Sequence, residues 1–297
     1  MKYLTVEQAA KKWGLSSRTV RNYCRQRRIP SAFLSGKTWK IPEDATKPDT
    51  YVVSANKKLL TWLKEEKDYG IPGRMYNILQ IEMAYNSNRI EGSRLSHDQT
   101  RMIFETNTVG LNEDIRSAIF VDDIIETKNH FRCFDFVIDN AKKDLSEVMI
   151  KKIHFLLKQN TSDAAKSWFK VGDYKIIDNF VGGRKTTSVV DVRDQMKKLL
   201  AEYNSKQNVT IYDIIDFHYK FERIHPFQDG NGRVGRLIML KECLKHNFVP
   251  VLIKDEFKEF YYRGLKEYEK EKGYLIDTCL HGQDIVSSYL DYFSIKH

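Results

Sequence analysis

The sequence predicts a mostly α protein carrying one β-hairpin, with a small winged helix-turn-helix at its N-terminus. Three observations support this. Apolar residues recur at helix period through most of the chain beyond residue 59. That period breaks once, between Lys170 and Thr187, around a Gly182-Gly183 pair. Charge is also unevenly placed: residues 1–48 hold eleven basic and three acidic side chains, +8 of the chain's formal +9. A small basic unit is therefore joined to a large, nearly neutral one, and 297 residues suffice for a main domain with an appendage. Cys24, Cys133, Cys243 and Cys279 are scattered without zinc or redox spacing, which reads as isolated reduced thiols. No charged-then-apolar leader opens the chain and no apolar run nears the ~18 residues of a membrane span. A soluble, cytoplasmic protein is expected.

In the basic unit, Thr5 and Gln8 make a capping box that opens a helix through Ala9, Ala10 and Trp13, and Gly14 ends it. Ser16 or Ser17 caps a second helix from Arg18 to about Gln26, with Arg18, Arg21 and Arg25 on one face. Helix, glycine turn and second helix is the arrangement that lays a recognition helix in a DNA groove. Gly36-Lys37-Thr38-Trp39-Lys40-Ile41-Pro42 alternates like a short basic hairpin, a wing. The segment resembles excisionase and MerR-like winged helix-turn-helix domains, with DNA as the implied partner through Arg18, Arg21 and Arg25. Boundaries follow at 1–48 for this domain, 49–55 for a polar linker and 56–297 for the remainder.

Leu59, Leu60 and Leu63 begin a helix that Gly70 and Pro72 interrupt, and a second runs from about 73 to Glu91, stopped by Gly92. Ser96 with Gln99 starts another, the period continues from Asn112 to about Ala141, and Ser146 caps the next. Tyr174, Ile176, Ile177, Phe180 and Val181 with the glycine pair predict the hairpin. Helices resume at about 190–203, 210–223, 231–247, 256–271 and 284–293.

The chemistry concentrates in His225-Pro226-Phe227-Gln228-Asp229-Gly230-Asn231-Gly232-Arg233-Val234-Gly235-Arg236. Helical periodicity on both sides makes this a loop whose glycines open the second helix, and unpaired N–H groups there suit phosphate. Arg233 and Arg236, at i,i+3, add forked donors. Asp229 suits magnesium, which prefers a carboxylate plus phosphate oxygens, and His225 offers a base beside the phosphates. Gly230 to Gly235 also fits a dinucleotide fingerprint, but that fingerprint requires a preceding strand, and a helix precedes it here.

This loop resembles the Fic family signature, His-x-Phe-x-Asp/Glu-Gly-Asn-Gly-Arg-x-x-Arg, at every defined position, and the similarity covers the chain from about residue 55. The resemblance implies a Fic-type helical domain whose hairpin is a flap, and transfer of AMP from ATP to a hydroxyl side chain of a target protein. His225 would be the general base and Asp229 the Mg2+ ligand. Gly230, Asn231 and Gly232 would line the anion pocket, with Arg233 and Arg236 on the outer phosphates. Asn179, Phe180, Val181 and Gly182 would approach the nucleotide from the flap, and Tyr261 and Tyr262 would line the adenine side. Glu269 stands where relatives often carry asparagine, which bears on base selectivity. Glycine at 232, where phosphorylating Doc-type members typically carry lysine, favours AMP transfer. Ser87-Asn88-Arg89-Ile90-Glu91-Gly92 resembles the family's inhibitory motif, on a helix at about 73–92, with Glu91 expected to reach Arg236. Expected partners are a target protein laid along the flap, DNA, the chain itself in self-modification and a second copy in a homodimer. Two alternatives stay open: a DNA-binding regulator whose Fic domain senses nucleotide, and transfer of another group such as UMP.

Overall fold

The computed structural model describes residues 2–14, 17–25, 29–36, 38–47, 58–110 and 118–295. The chain divides into two compact units, residues 1–55 with 67–71 and residues 56–66 with 72–297. The linker expected at 49–55 lies outside the described residues.

In the N-terminal unit, β1 (Tyr3–Leu4) leads into α1 (Val6–Trp13) through the Thr5–Gln8 capping box, with both reciprocal bonds formed. Gly14 closes α1 in the left-handed conformation at φ 66°, as a glycine C-cap requires. α2 (Ser17–Arg25) follows, then β2 (Phe33–Ser35) and β3 (Thr38–Pro42). The wing is larger than expected. Its first strand starts at Phe33, and β1 adds on the other side of β3, giving a three-stranded antiparallel sheet in the order β1-β3-β2. Val6, Ala9, Trp13, Val20, Ile29 and Ile41 are buried together as its core.

The larger unit is helical: α3 (Leu59–Tyr69), α4 (Met75–Ile90), α5 (His97–Thr106), α6 (Val121–Asn140) and α7 (Glu147–Lys158), then α8 (Val189–Asn204), α9 (Ile211–Ile224), α10 (Asn231–His246), α11 (Lys258–Glu267) and α12 (Gly273–Tyr292). Ser96 with Gln99 forms the anticipated capping box of α5, and the Ser146 hydroxyl caps α7. Of the helical period expected from 112 to 141, residues 112–117 lie outside the described residues, 118–120 are not helical, and α6 begins at Val121. α12 begins at Gly273, eleven residues before the expected start at 284. Its buried face runs through Leu275, Cys279 and Gly282, and two small residues there blur the apolar period.

At its centre lies α10, where every residue from Arg233 to Leu244 is buried. A helix buried on all sides shows no amphipathic stripe, and α4, α6, α7 and α9 all pack against it. The hairpin is shorter than the sequence suggested. Only β4 (Phe180–Val181) and β5 (Arg184–Lys185) pair, joined by Gly182 and Gly183 at φ 56° and 76°. Positive φ at both central residues is the type I′ geometry that glycine permits. Tyr174, Ile176 and Ile177 are not strand residues; the Tyr174 side chain is buried beside Phe227 instead.

α9 carries His225 at its end, and a Thr210–Asp213 capping box holds its start. Thr210→Ala should lower stability by about 1 kcal/mol, read as a shift of the urea midpoint with unchanged slope.

Candidate active site

The loop from His225 to Gly230 turns sharply between α9 and α10 because both ends adopt left-handed conformations. His225 sits at φ 51° with its N–H bonded to Phe221, and Gly230 at φ 80°. The loop is tied from within by buried Asn231. Its Oδ1 accepts from the Phe227 N–H at 2.8 Å and its Nδ2 donates to the Phe227 carbonyl at 2.9 Å. Phe227 is fully buried and stacks on His154 of α7 at 4.0 Å between ring centroids.

A cavity of about 550 Å³ opens beside this loop. His225, Asp229, Gly230, Asn231, Gly232 and Arg236 line one side, Val181 and Gly182 of the hairpin another, and Glu91, Tyr261 and Tyr262 are among the residues of a third. Arg233, Asn179 and Phe180 are not among the lining residues. Phe180 is 70% exposed. Asn179 is a tie at the hairpin's base, donating to the Phe227 carbonyl at 3.3 Å and accepting from Lys175 Nζ at 2.8 Å and Thr186 Oγ1 at 2.6 Å.

Arg236 is buried and heavily engaged. Its Nη2 donates to Glu91 Oε1 at 2.7 Å and to the Ser87 carbonyl at 3.0 Å, while Nε donates to Ser87 Oγ at 2.9 Å. Ser87 and Glu91 thus act from one face of α4's last turn, as i,i+4 spacing dictates. Gly232 makes room for this contact. A Cβ built there would lie 2.2 Å from Glu91 Oε1, closer than packing allows. Tyr262 OH donates to the Ile90 carbonyl at 2.8 Å, fastening the end of α4 to α11. Tyr261 is buried and shares a 2.8 Å hydrogen bond with His218 Nε2, so its hydroxyl serves the wall behind Arg236.

Asp229 and Arg233 form a second cluster. Asp229 Oδ2 accepts from Lys158 Nζ at 2.7 Å and Arg233 Nη2 at 3.2 Å. Glu126 pairs with Lys158 at 2.6 Å and with the Arg233 guanidinium. Burial would raise the Asp229 pKa, but Arg233 and Lys158 outweigh it and hold the carboxyl well below the usual range. The carboxylate stays ionised, and 48% of its side chain remains exposed. No group of three or more His, Cys, Asp or Glu able to hold a metal occurs among the described residues. The donor set nevertheless fits Mg2+, which binds through one carboxylate, phosphate oxygens and water. That cation would rest on Asp229.

The imidazole of His225 is neutral at pH 7, because burial, then the Lys175 charge, bring its pKa down to about 4. Its Nδ1 has no protein partner. Sequence reasoning missed the groups around it. Buried His154 accepts from the Gly172 N–H at Nδ1, so its Nε2–H donates to the Asp229 carbonyl at 3.2 Å. Lys175 joins hairpin to loop, its N–H donating to the Pro226 carbonyl at 2.9 Å, and burial lowers its pKa to about 8. Burial raises Glu222 to about 8, leaving it a neutral carboxyl in the cavity wall. His154 abuts the apolar stripe of Ile150, Ile153 and Leu157, a signal available in sequence; Glu126, Lys158 and Glu222 resemble surface helix residues there.

Residues 144–243 match the Fic/DOC family model and residues 3–45 a helix-turn-helix domain model. The chain carries a Fic domain. It is similar to the protein adenylyltransferase Fic of Aedes aegypti, 27% identical over 195 residues, which cover 63% of this chain and 36% of that protein. It is also similar to the protein adenylyltransferase fic-1 of Caenorhabditis elegans, 28% identical over 196 residues, 65% of this chain and 37% of that one. The chain thus spans little more than a third of these relatives' length. Among solved structures, a Fic domain containing signaling protein from Bacteroides thetaiotaomicron aligns at TM-score 0.57 and 24% identity, covering 79% of this chain and 91% of that one. A Fic family protein from Desulfovibrio desulfuricans aligns at TM-score 0.60 and 21% identity, over 85% and 79% respectively. The mostly helical fold with an N-terminal helix-turn-helix follows from these likenesses.

Two measurements test the Fic domain's loop. Asn231→Ala leaves the Phe227 N–H buried without a partner, removes one of two donors from its carbonyl, and should cost about 1–3 kcal/mol in denaturant unfolding. In the free protein, histidine titration followed by NMR should place His225 near pH 4, well below an ordinary imidazole.

Proposed function

We propose that this protein is an autoinhibited protein adenylyltransferase that transfers AMP from ATP to a hydroxyl side chain of a target protein, itself included. The observation that carries this reading is the Glu91 carboxylate seated on Arg236 inside the cavity that also takes His225 and Asp229. A buried guanidinium needs an anion, and the outermost phosphate of ATP offers one in the same place. The names of the curated relatives support the reaction class.

The attacking hydroxyl enters between the flap and the loop, with its backbone added along β4 as an extra strand. His225, neutral and with Nδ1 unpaired, accepts the hydroxyl proton as oxygen bonds to the α-phosphorus. The bond from the α-phosphorus to its bridging oxygen breaks, and pyrophosphate leaves. Arg236 neutralises the negative charge that develops on the leaving group, Arg233 adds positive charge from outside the cavity wall, and the N–H groups opening α10 face the phosphates. A magnesium ion on Asp229, when bound, supplies further charge neutralisation. Val181, Gly182 and Tyr262 bound the space left for the adenine.

The N-terminal unit supports a second activity, DNA binding, through its helix-turn-helix match and its concentrated positive charge. Arg21 is exposed and pairs with Glu7 at 2.9 Å, an ion pair that a phosphate can displace at little cost. The side chains of Arg18 and Arg25 lie outside the described residues. Among the described residues no helix is long and apolar enough to cross a membrane.

Labelled ATP with magnesium tests the enzyme reading. Glu91→Gly should raise self-labelling at least ~10-fold, the worth of one charge-assisted contact, and His225→Ala in that background should abolish it. Equal incorporation with and without Glu91 would refute the restraint, and labelling without His225 would refute its role as base. No labelling under any condition, with DNA binding retained, favours a nucleotide-sensing regulator. The acid limb of kcat/KM should fall near pH 4, because a His225 pKa lowered in the folded protein keeps the base unprotonated until that pH. For the N-terminal unit, Arg18→Ala and Arg25→Ala should each weaken duplex binding and reduce the salt slope by about one.

A further inference from the structure

Asp229, Lys158, Glu126 and Arg233 close a ring of ion pairs. Lys158 Nζ lies 2.7 Å from Asp229 Oδ2 and 2.6 Å from Glu126 Oε1, Glu126 Oε2 meets Arg233 Nη1, and Arg233 Nη2 returns to Asp229 Oδ2 at 3.2 Å. Asp163 adds a third carboxylate to Lys158 at 2.9 Å. Lys158 is 2% exposed and lies under Gly230, where an added Cβ would meet its side chain at 3.6 Å. A lysine this deeply buried beneath the loop, with three carboxylates on its ammonium, has a defined place and charge. It touches neither the cavity nor any atom that would react.

We infer that Lys158 is a built-in counter-cation of the catalytic loop, which fixes the Asp229 carboxylate and prevents the nucleotide-free site from capturing a bare divalent ion. The inference rests on the nucleotide reading given above. Without nucleotide, the Asp229 carboxylate faces two positive groups, one on each side of its Oδ2, and its remaining attraction for a dication is small. With a triphosphate in the cavity, several further negative oxygens stand beside Asp229, and the ion binds between them. Lys158 thereby sets the order of assembly: the cation enters with the nucleotide. Glu126 and Asp163 position Lys158, and Glu126 also holds one arm of Arg233, so cation ligand and phosphate grip share one support.

The test counts free Mn2+ by electron paramagnetic resonance, without turnover, using full-length protein in the Glu91→Gly background so that Arg236 is open. With Lys158 intact, Mn2+ should stay free without nucleotide and be taken up with a non-hydrolysable ATP analogue. Lys158→Met should bind bare Mn2+ at least ~10-fold tighter, the expected effect of removing a neighbouring positive charge, and Lys158→Arg should restore the original behaviour. The inference is overturned if Lys158→Met gains no affinity for the bare ion while still taking Mn2+ with nucleotide. It is overturned equally if the protein with Lys158 intact captures bare Mn2+, an arm that needs no Lys158 variant to fold. Failure of every protein to take up Mn2+ with nucleotide would overturn the nucleotide reading as well, which separates the two.

Discussion

Two guanidinium groups on a helix buried along nearly its whole length set the terms for the larger unit. Arg233 and Arg236 leave water when α10 enters the core, and a buried cation without a counter-charge costs several kcal/mol. The fold answers with carboxylates from three directions: Glu91 from α4, Glu126 from α6 and Asp229 from the loop itself. Core packing and ligand chemistry therefore share residues. On the nucleotide reading proposed above, phosphate oxygens would replace Glu91 on Arg236, while Glu126 and Asp229 stay paired with Arg233.

The rest of the loop is held by contacts that do not depend on ligand. Asn231 closes the turn on Phe227, Phe227 stacks on His154, and His154 holds the Asp229 carbonyl. Lys175 and Asn179 bind the base of the hairpin to the same turn, whereas the hairpin's tip stays exposed. Rigid support beneath and an open edge above suit a site that positions a phosphate chain and admits an extended partner segment. At Gly232 a missing side chain leaves the room that the Glu91 carboxylate fills.

The N-terminal unit follows a separate logic. Its core is small, and its stability leans on local devices such as the Thr5–Gln8 capping box, the Gly14 cap and a third strand that completes the wing. Because its charge is so one-sided, association with a polyanion is the clearest reading of its surface.

Helix starts were legible because capping chemistry is local: Thr5, Ser96 and Ser146 all cap the helices that follow them. The hairpin turn was legible because two consecutive positive φ angles call for glycine. The loop was legible because its unusual residue types cluster within twelve positions. Strand extent and the start of α12 were less so, because three-residue strands and small buried residues leave little periodic signal. The amino-acid order by itself determined where helices begin, where the chain turns and which twelve residues carry chemistry, since those depend on neighbours a few positions away. Only the tertiary structure decided that Glu126 and Asp229 meet Arg233, that Lys158, Glu126, His154 and Lys175 support the loop, and that Tyr261 turns its hydroxyl to His218. Those pairings join residues up to 107 positions apart, and charge and burial at such separations depend on packing that no local pattern encodes.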